Sequence, residues 1–341
     1  MKKKLALGLT LVILLVAALV WWFYDPYAPT AYVGITTYEM PRYHRMNFES
    51  SIYRVDLISG EVNEVITPSN MSRIQRIALD RENDYLYVSG GTPHENNSQE
   101  EKIKIYDLNN YEIQRKLEVP TGKTSMIRIS PDGRRLFMSN PIRPDKREKK
   151  LKNPEKQKET WLLDPETGDF IKGIDRWPRS GAFISEDGSY FYMFPANKEI
   201  GTGKWVYDVD NDTLSVGFAR DTDRLFEESG GFFFGDEEYN FPRMEGWSPM
   251  KIYDRETYEK LGEVDIYQGI DEYRISKKYS TKPEMITQDG KLRVVGIVLD
   301  GEHPGDPSTH LIRTIDLEKH KVLHTVEIYK GLANQTNIVA Y

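Results

Sequence analysis

The sequence contains no cysteine. This absence excludes disulfide bonds, thiolate metal sites, cysteine nucleophiles, covalent haem attachment through a CxxCH motif and lipidation of an N-terminal cysteine. An excess of basic charge is also absent, because 53 acidic residues outnumber 46 basic ones and give a formal net charge of −7, and no motif typical of RNA- or DNA-binding proteins occurs. Since nucleic-acid phosphates require a basic surface, we predict no nucleic-acid partner.

Motifs of common catalytic and metal sites are missing as well. There is no HExxH metal motif and no GxSxG nucleophile elbow. Asp208, Asp210 and Asp212 resemble the first half of a calcium-binding loop. Thr213 stands where that loop needs glycine, however, and no glutamate follows at the required distance. We interpret the three aspartates as part of a turn between strands, and we predict neither a metal site nor a cofactor.

Long hydrophobic runs are absent except at the N-terminus, where residues 5–24 carry no charge. At about 1.5 Å of rise per residue, such a helix spans about 30 Å, the thickness of the hydrocarbon core of a bilayer. Lys2, Lys3 and Lys4 would stay in the cytoplasm, and the aromatic residues 21–24 would lie at the opposite interface. The segments predicted are a cytoplasmic stub (1–4), a transmembrane signal anchor (5–24), a linker (25–30) and a folded body (31–341).

A cleaved signal peptide is the alternative interpretation of this run. The length of the run and the lack of an A-x-A site before Asp25 favour a retained anchor. Under both interpretations the body lies on the periplasmic or extracellular side of the cell membrane.

Beyond the predicted anchor, two repeated sequence motifs, which we call the first and the second phrase, alternate along the chain. Tyrosine is common, with 21 residues, which favours strands. The first phrase is two short apolar segments around a polar turn, and its copies include DRENDYLYVSG (80–90), SPDGRRLFMSN (130–140), SEDGSYFYMFP (185–195) and TQDGKLRVVGI (287–297), with a degenerate copy at 223–236. The second phrase is an apolar segment that ends in aspartate, then a turn and another apolar segment; its six copies are 53–66, 105–119, 161–174, 206–218, 252–264 and 313–326.

Each period therefore supplies two hairpins, or four antiparallel strands, which we name A, B, C and D. Four-stranded sheets that repeat about every 45 to 60 residues predict the blades of a single all-β propeller. Residues 331–341 look like a strand A without its strand B, and residues 31–37 like a strand B without its strand A. We predict that the two pair and close the ring. Six blades are counted, and the stretch 267–285 leaves room for a seventh.

The repeats resemble the YVTN-type, WD40-like propeller repeats of exported bacterial proteins, and YLYVSGG (85–91) is similar to their signature. The resemblance covers residues 31–341 and implies a propeller fold. Its relatives include the heavy subunits of amine dehydrogenases, propeller lactonases and many surface proteins. Because propellers host unrelated activities, the resemblance predicts the fold and leaves the function open.

The long B–C loops and the D–A links emerge at one end of such a ring, and we predict that they form the binding face. Histidine, arginine and tryptophan residues in these connections are the candidate binding residues: His44, His94, Arg143, Arg176, Trp177, Arg179, Trp247 and His303. The histidines fall on different blades, which favours scattered surface positions over a metal site. The basic B–C loop at 145–159 could contact anionic lipid, an anionic polymer or an acidic protein, or could simply be a solvated insertion.

Three hypotheses for function follow. The first is a non-enzymatic, membrane-anchored binding or scaffolding module at the cell envelope, whose ligand is an envelope protein or a small molecule. The second is an exported propeller enzyme, such as a lactonase or a dehydrogenase subunit, with its site at the channel mouth. The third is a purely structural component of an envelope complex. Since no catalytic motif is found, the sequence favours the first.

Overall fold

The structure is a computed structural model. It describes the following residues: 29–39, 47–68, 73–91, 102–118, 126–139, 159–174, 181–184, 188–194, 204–217, 234–235, 239–241, 249–254, 259–275, 284–286, 291–301, 308–331 and 333–340. The predicted membrane anchor at 5–24 lies outside this set. No helix among the described residues is both long enough and apolar enough to cross a bilayer.

The described strands form six four-stranded antiparallel sheets. Sheet 1 contains β1 (Thr30–Glu39), β2 (Asn47–Asp56), β3 (Val62–Ile66) and β24 (Ala333–Ala340). Sheet 2 contains β4 (Arg73–Asp80), β5 (Tyr85–Gly91), β6 (Lys102–Asp107) and β7 (Ile113–Glu118). Sheet 3 contains β8 (Met126–Ile129), β9 (Leu136–Ser139), β10 (Thr160–Leu163) and β11 (Phe170–Ile174).

The second half of the chain repeats the same order. Sheet 4 contains β12 (Gly181–Ile184), β13 (Tyr190–Phe194), β14 (Lys204–Asp208) and β15 (Thr213–Gly217). Sheet 5 contains β16 (Phe234–Gly235), β17 (Tyr239–Phe241), β18 (Met250–Asp254) and β19 (Lys260–Val264). Sheet 6 contains β20 (Glu284–Ile286), β21 (Leu292–Leu299), β22 (Ser308–Asp316) and β23 (Lys321–Gly331). A 3₁₀ turn (Glu272–Arg274) lies between sheets 5 and 6.

The repeated aspartate of the second phrase builds the turn between strands C and D. In sheet 3, Asp164 Oδ1 accepts hydrogen bonds of 2.8 Å from the amides of Glu166 and Thr167. The amide hydrogen bonds from Thr167 and Glu166 hold the pKa of Asp164 below its usual value. Aspartates at the same point of sheets 1, 2, 4 and 6 cap their turns in the same way: Asp56, Asp107, Asp208 and Asp316. The repeat aspartate is therefore a turn residue, because its carboxylate satisfies backbone amides that the turn leaves unpaired.

The sheets pack face to face through apolar side chains. Buried clusters join sheet 5 to sheet 6, sheet 6 to sheet 1, sheet 1 to sheet 2, sheet 2 to sheet 3 and sheet 3 to sheet 4. The first strand of one sheet contacts the first strand of the next in four of these pairs, β20 with β24, β24 with β4, β4 with β8 and β8 with β12. Sheets that pack in succession with their first strands innermost form a β-propeller.

The two ends of the chain meet in sheet 1. Strand β1 pairs with β24 from Ala31 opposite Ala340 to Thr37 opposite Ala333, with one irregularity beside Thr37. The pairing of a C-terminal strand A with an N-terminal strand B matches the prediction from residues 331–341 and 31–37. It joins the first and last segments of the body by backbone hydrogen bonds.

The structure adds detail to two expectations about sheets 5 and 6. Of the degenerate hairpin expected within 223–236, strand β16 lies in that range and its partner β17 lies just beyond it. The described part of 267–285, which left room for a seventh blade, holds turns, the 3₁₀ turn, a single bridge from Ile275 to Leu299, and β20, the first strand of sheet 6. The glycines and polar residues of these stretches weaken the alternating pattern by which strands are located.

Candidate functional site

The candidate residues from the sequence cannot be placed in the structure. His44, His94, Arg143, Arg176, Trp177, Arg179, Trp247 and His303 all lie outside the described residues, as does the basic loop through residue 158. Whether they converge therefore stays a prediction. Within the described ranges, no group of three or more histidine, aspartate and glutamate side chains could hold a metal ion.

Asp208, Asp210 and Asp212, which resemble part of a calcium loop, each bind protein groups in the structure. Asp208 caps its turn by accepting hydrogen bonds from the amides of Asp210 and Asn211. Asp210 pairs with Arg135 of sheet 3 at 2.9 Å, and Asp212 accepts hydrogen bonds from Tyr207 and from Lys172. Each carboxylate thus has its own protein partner, and the three residues serve the turn and the contact with sheet 3.

The antiparallel order places the ends of strands B and D and the starts of strands C and A at one end of each sheet, which we call the loop face. The structure describes the first part of one D–A link. Residues 265–275 follow β19 and lead toward β20, and we call this segment the platform. Two of its turns are capped by aspartates, because Asp265 Oδ1 accepts from the amide of Tyr267 and Asp271 Oδ1 from the amide of Tyr273.

Apolar side chains hold the underside of the platform. Ile266, Tyr267 and Ile275 are buried in the cluster that joins sheets 5 and 6. Ile275 also forms a bridge with Leu299, and the amide of Asp300 donates a 2.6 Å hydrogen bond to the carbonyl of Arg274. The segment is irregular in its backbone, yet it is fixed to the end of β21.

A buried arginine of sheet 6 fastens the first turn of the platform. The side chain of Arg313 donates from Nη1 to the carbonyl of Ile266, from Nη2 to the carbonyl of Gln268 at 2.6 Å, and from Nε to Thr325 Oγ1 at 2.9 Å. Burial lowers the pKa of Arg313, and the nearby Asp265 carboxylate raises it. Because hydrogen bonds from a charged donor are stronger than neutral ones, Arg313 holds two carbonyls that the turn would otherwise leave unpaired.

The platform presents one large side chain to solvent. Tyr273, on the 3₁₀ turn, is 99% exposed. Three exposed carboxylates belong to the same segment or to the residue bonded to it: Asp265, Asp271 and Asp300. Single exposed apolar residues are common on protein surfaces. Tyr273 differs in that its amide is bonded to Asp271 and the next residue, Arg274, is bonded to Asp300 at the end of β21. A partner could therefore bury the ring at little cost in backbone order.

A second feature lies on the innermost strands. Arg76 of β4 and Arg128 of β8 are partly buried on neighbouring strands. Burial and the nearby charge of Arg76 lower the pKa of Arg128 to about 10. Arg128 stays protonated at neutral pH, and the charge of Arg76 is near enough to influence its titration.

Neither feature was found from the sequence. Tyr273 falls in 267–285, which attracted attention only as room for a seventh blade. Arg76 and Arg128 lie in strand A, inside the first repeated phrase. In that phrase the recurring residues are those of the turn, so the arginines of the strand were not considered. A usable signal was an arginine within an otherwise apolar inner strand, as in MIRIS (126–130), since an arginine is rarely buried without a partner.

Comparison with known proteins supports the fold. No protein-family model and no curated protein matches the sequence. The structure is similar to that of TolB from Acinetobacter baumannii, with a TM-score of 0.52 and 14% identity over 91% of this chain and 66% of the TolB chain. The chain thus spans just under two thirds of the length of TolB. Hydrazine synthase from Kuenenia stuttgartiensis also matches, with a TM-score of 0.42 and 13% identity over 78% of this chain and 70% of that chain. At such low identity, the likeness to TolB establishes a β-propeller fold and nothing about activity.

Proposed function

We propose that this protein is a membrane-anchored, extracytoplasmic β-propeller that binds a protein of the cell envelope through its loop face. The observation that carries the proposal is the fully exposed ring of Tyr273 on a platform that Arg313 and a buried apolar underside hold in place. Aromatic residues contribute strongly to binding when a partner buries them. A rigid backbone lowers the entropy that binding must overcome.

The charges around Tyr273 favour a particular partner. Asp265 and Asp271 belong to the platform, Asp300 is bonded to it, and all three are exposed. The whole chain has a net charge of −7. Complementary charge speeds association and rejects like-charged proteins. The partner we propose is therefore a protein that offers an apolar pocket for Tyr273 with lysine or arginine at its rim.

The propeller in this proposal has six blades and a closed ring. Its support is the six sheets found among the described residues, the pairing of β1 with β24, and the packing that runs in order from sheet 5 through sheets 6, 1, 2 and 3 to sheet 4. Contact between sheets 4 and 5 would complete the ring. The likeness to YVTN-type repeats stays a prediction, since no family model matches.

The membrane anchor and the exported location rest on the sequence. The support is the uncharged run at 5–24, with three lysines before it and aromatic residues at its end. A tethered ring would then hold its partner close to the membrane surface.

The test is co-purification from native membranes of three forms of the full chain: wild type, Tyr273→Ala and Tyr190→Ala. Tyr190 begins β13, at the end of the sheets opposite the loop face, and is 39% exposed. The proposal predicts that Tyr273→Ala loses a partner that both wild type and Tyr190→Ala retain. If all three forms recover the same proteins in the same amounts, Tyr273 is not a binding residue and the proposal fails.

A further inference from the structure

The chain enters the propeller at the end of the sheets opposite the loop face. Strands A and C end there and strands B and D begin there, and we call this end the turn face. Strand β1 is the strand B of sheet 1, and its first residues pair with the last residues of β24, with Ala31 opposite Ala340. The polypeptide that precedes Thr30 therefore joins the ring at the turn face.

A backbone hydrogen bond fixes the entry point at the level of the A–B turns. The amide of Leu57, just after β2, donates a 2.9 Å hydrogen bond to the carbonyl of Pro29, just before β1. The same bond recurs in sheets 2, 4 and 6, always from the residue after strand C to the residue before strand B: Leu108 to Asp84, Val209 to Ser189 and Leu317 to Lys291. Pro29 thus takes the place in sheet 1 that the last residue of an A–B turn takes in those three sheets.

The segment between the predicted membrane anchor and Pro29 is short. The anchor ends at Tyr24, and only residues 25–28, which we call the tether, lie between the two. Even a fully extended chain would cover no more than about 18 Å from Tyr24 to Pro29. By contrast, β1 contains ten residues, which make sheet 1 about 33 Å long from the turn face to the loop face. The tether is therefore too short to let the loop face of sheet 1 approach the bilayer.

We propose that the turn face is the membrane-facing surface of the propeller, and that the loop face with Tyr273 points away from the lipid. The proposal rests on the anchor in the proposed function and adds the orientation of the body, which an anchor alone does not give. A protein partner is then bound on the side of the ring away from the bilayer, about one propeller height above it.

The turn face has an apolar side chain near the entry point and charges of both signs around it. Ile58, in the C–D turn of sheet 1, is 55% exposed, and a bilayer beneath the turn face would cover it. The exposed charged residues of this face include Glu61, Glu166, Arg134 and Lys319. Since charges of both signs give no strong attraction to anionic headgroups, the orientation depends on the short tether.

Energy transfer from single cysteine labels to acceptor lipids measures the orientation, and the chain has no native cysteine to interfere. The full chain would be reconstituted into vesicles of phosphatidylcholine, which has no net charge. The first pair of labels lies at the two ends of β3 in sheet 1, Ile58→Cys on the turn face and Thr67→Cys on the loop face, both at exposed positions. The second pair lies at the two ends of β21 and β22 in sheet 6, Glu318→Cys on the turn face and Asp300→Cys on the loop face, also exposed.

We expect stronger transfer from the turn-face label of each pair. The distances to the lipid should differ by about 17 Å in sheet 1 and by about 26 Å in sheet 6, which are the lengths of β3 and β21. Equal transfer from the two labels of a pair, as in a ring that lies on its edge, or stronger transfer from the loop-face label overturns the orientation.

Flotation with the vesicles separates this proposal from the one on which it rests. A chain that does not float has no membrane anchor, and both proposals then fail. A chain that floats but gives equal transfer has the anchor, and only the orientation fails.

A longer tether tests the cause of the orientation. Insertion of about twenty glycine and serine residues between Asp25 and Pro26 adds a flexible chain that spans about 25 Å. The difference in transfer within each pair of labels should then largely disappear. An unchanged difference would contradict a short tether as the device that orients the propeller.

Discussion

The imidazole ring of His320 occupies the space that a side chain on Gly262 would fill. A Cβ atom at Gly262 would lie 2.6 Å from Cε1 and 2.8 Å from Cγ of His320. His320 is four residues after the turn aspartate of sheet 6 and has a φ of 50°. In sheets 1 and 3 the same turn position is glycine, and larger residues of the adjoining sheet lie against it, Val326 against Gly60 and Leu117 against Gly168. At each of these three interfaces between sheets, a large residue of one sheet packs against a glycine of the other.

The first prediction concerns this balance. Gly262→Ala should reduce the free energy of unfolding by about 1–3 kcal/mol, because the added methyl overlaps the ring and the well-packed interface must shift. Gly262→Ala combined with His320→Gly should recover most of the loss. Glycine at position 320 removes the ring and adopts a positive φ without strain.

Denaturant unfolding of the wild type, the two single variants and the double variant measures the coupling. If the losses of Gly262→Ala and His320→Gly simply add, the two residues do not share the interface as described.

The second prediction concerns the platform. Arg313→Met should release the carbonyls of Ile266 and Gln268 and loosen residues 265–275. Hydrogen exchange of the platform amides should then quicken by about tenfold or more, since a hydrogen bond from a charged group contributes about 1.5–3 kcal/mol. Arg134→Met, at an exposed arginine, should leave exchange there unchanged. Equal exchange in the wild type and Arg313→Met would mean that the apolar underside alone holds the platform.

The third prediction is a pH dependence from His310. The side chain is 4% exposed, and burial lowers its pKa from 6.5 to about 4. Below pH 6.5 the unfolded chain takes up a proton here that the folded chain refuses until about pH 4. Because the unfolded state binds more protons in that interval, His310 costs stability as the pH falls from about 6.5 to 4, by about 3 kcal/mol in all.

Above about pH 7 the residue is neutral in both states and its contribution does not vary with pH. The measurement is the free energy of unfolding of the wild type and His310→Leu at several pH values. The difference between the two should change between pH 6.5 and 4 and be flat above pH 7. A difference that is constant over the whole range contradicts the buried, neutral histidine.

The fourth prediction concerns membrane topology, and the lack of cysteine makes it easy to test. A single cysteine at Tyr190 should react with a membrane-impermeant maleimide in intact spheroplasts. A single cysteine at Lys3 should react only after the membrane is broken. Labelling of both positions, or of neither, before lysis would contradict an anchor that keeps its N-terminus in the cytoplasm.

Much of the fold follows from the sequence because it depends on local signals. The turn from Ser130 to Arg135 and the strands beside it are encoded by one phrase, and Asp132 accepts from the hydroxyl of Ser130 and the amide of Arg134 as the pattern requires. The repeat builds the C–D turns of sheets 1, 2, 3, 4 and 6 in the same way. Recurrence of such phrases predicts sheet after sheet, and the leftover strands at the two termini predict that they pair.

The features at the site could not be predicted, because they depend on contacts between distant residues. The sequence shows only that Arg313 lies in a predicted strand. Its role depends on hydrogen bonds to residues 45 or more positions away, which only the structure reveals. In the sequence, nothing distinguishes Tyr273 from the other tyrosines among the 21. The structure distinguishes it by the exposure of its side chain on a fixed turn. The degenerate fifth repeat was located only in part for a simpler reason, since strands as short as β16 and β17 show no periodic pattern.

Photo-crosslinking at residue 273 tests the central claim of a binding face most directly. The full chain would carry p-benzoylphenylalanine in place of Tyr273, or in place of Tyr190 as the control, and would be irradiated in native membranes. We expect a discrete adduct from position 273 that position 190 does not give and that is lost when Arg313→Met is added. No adduct from position 273, or the same adducts from both positions, would contradict a partner bound at the loop face.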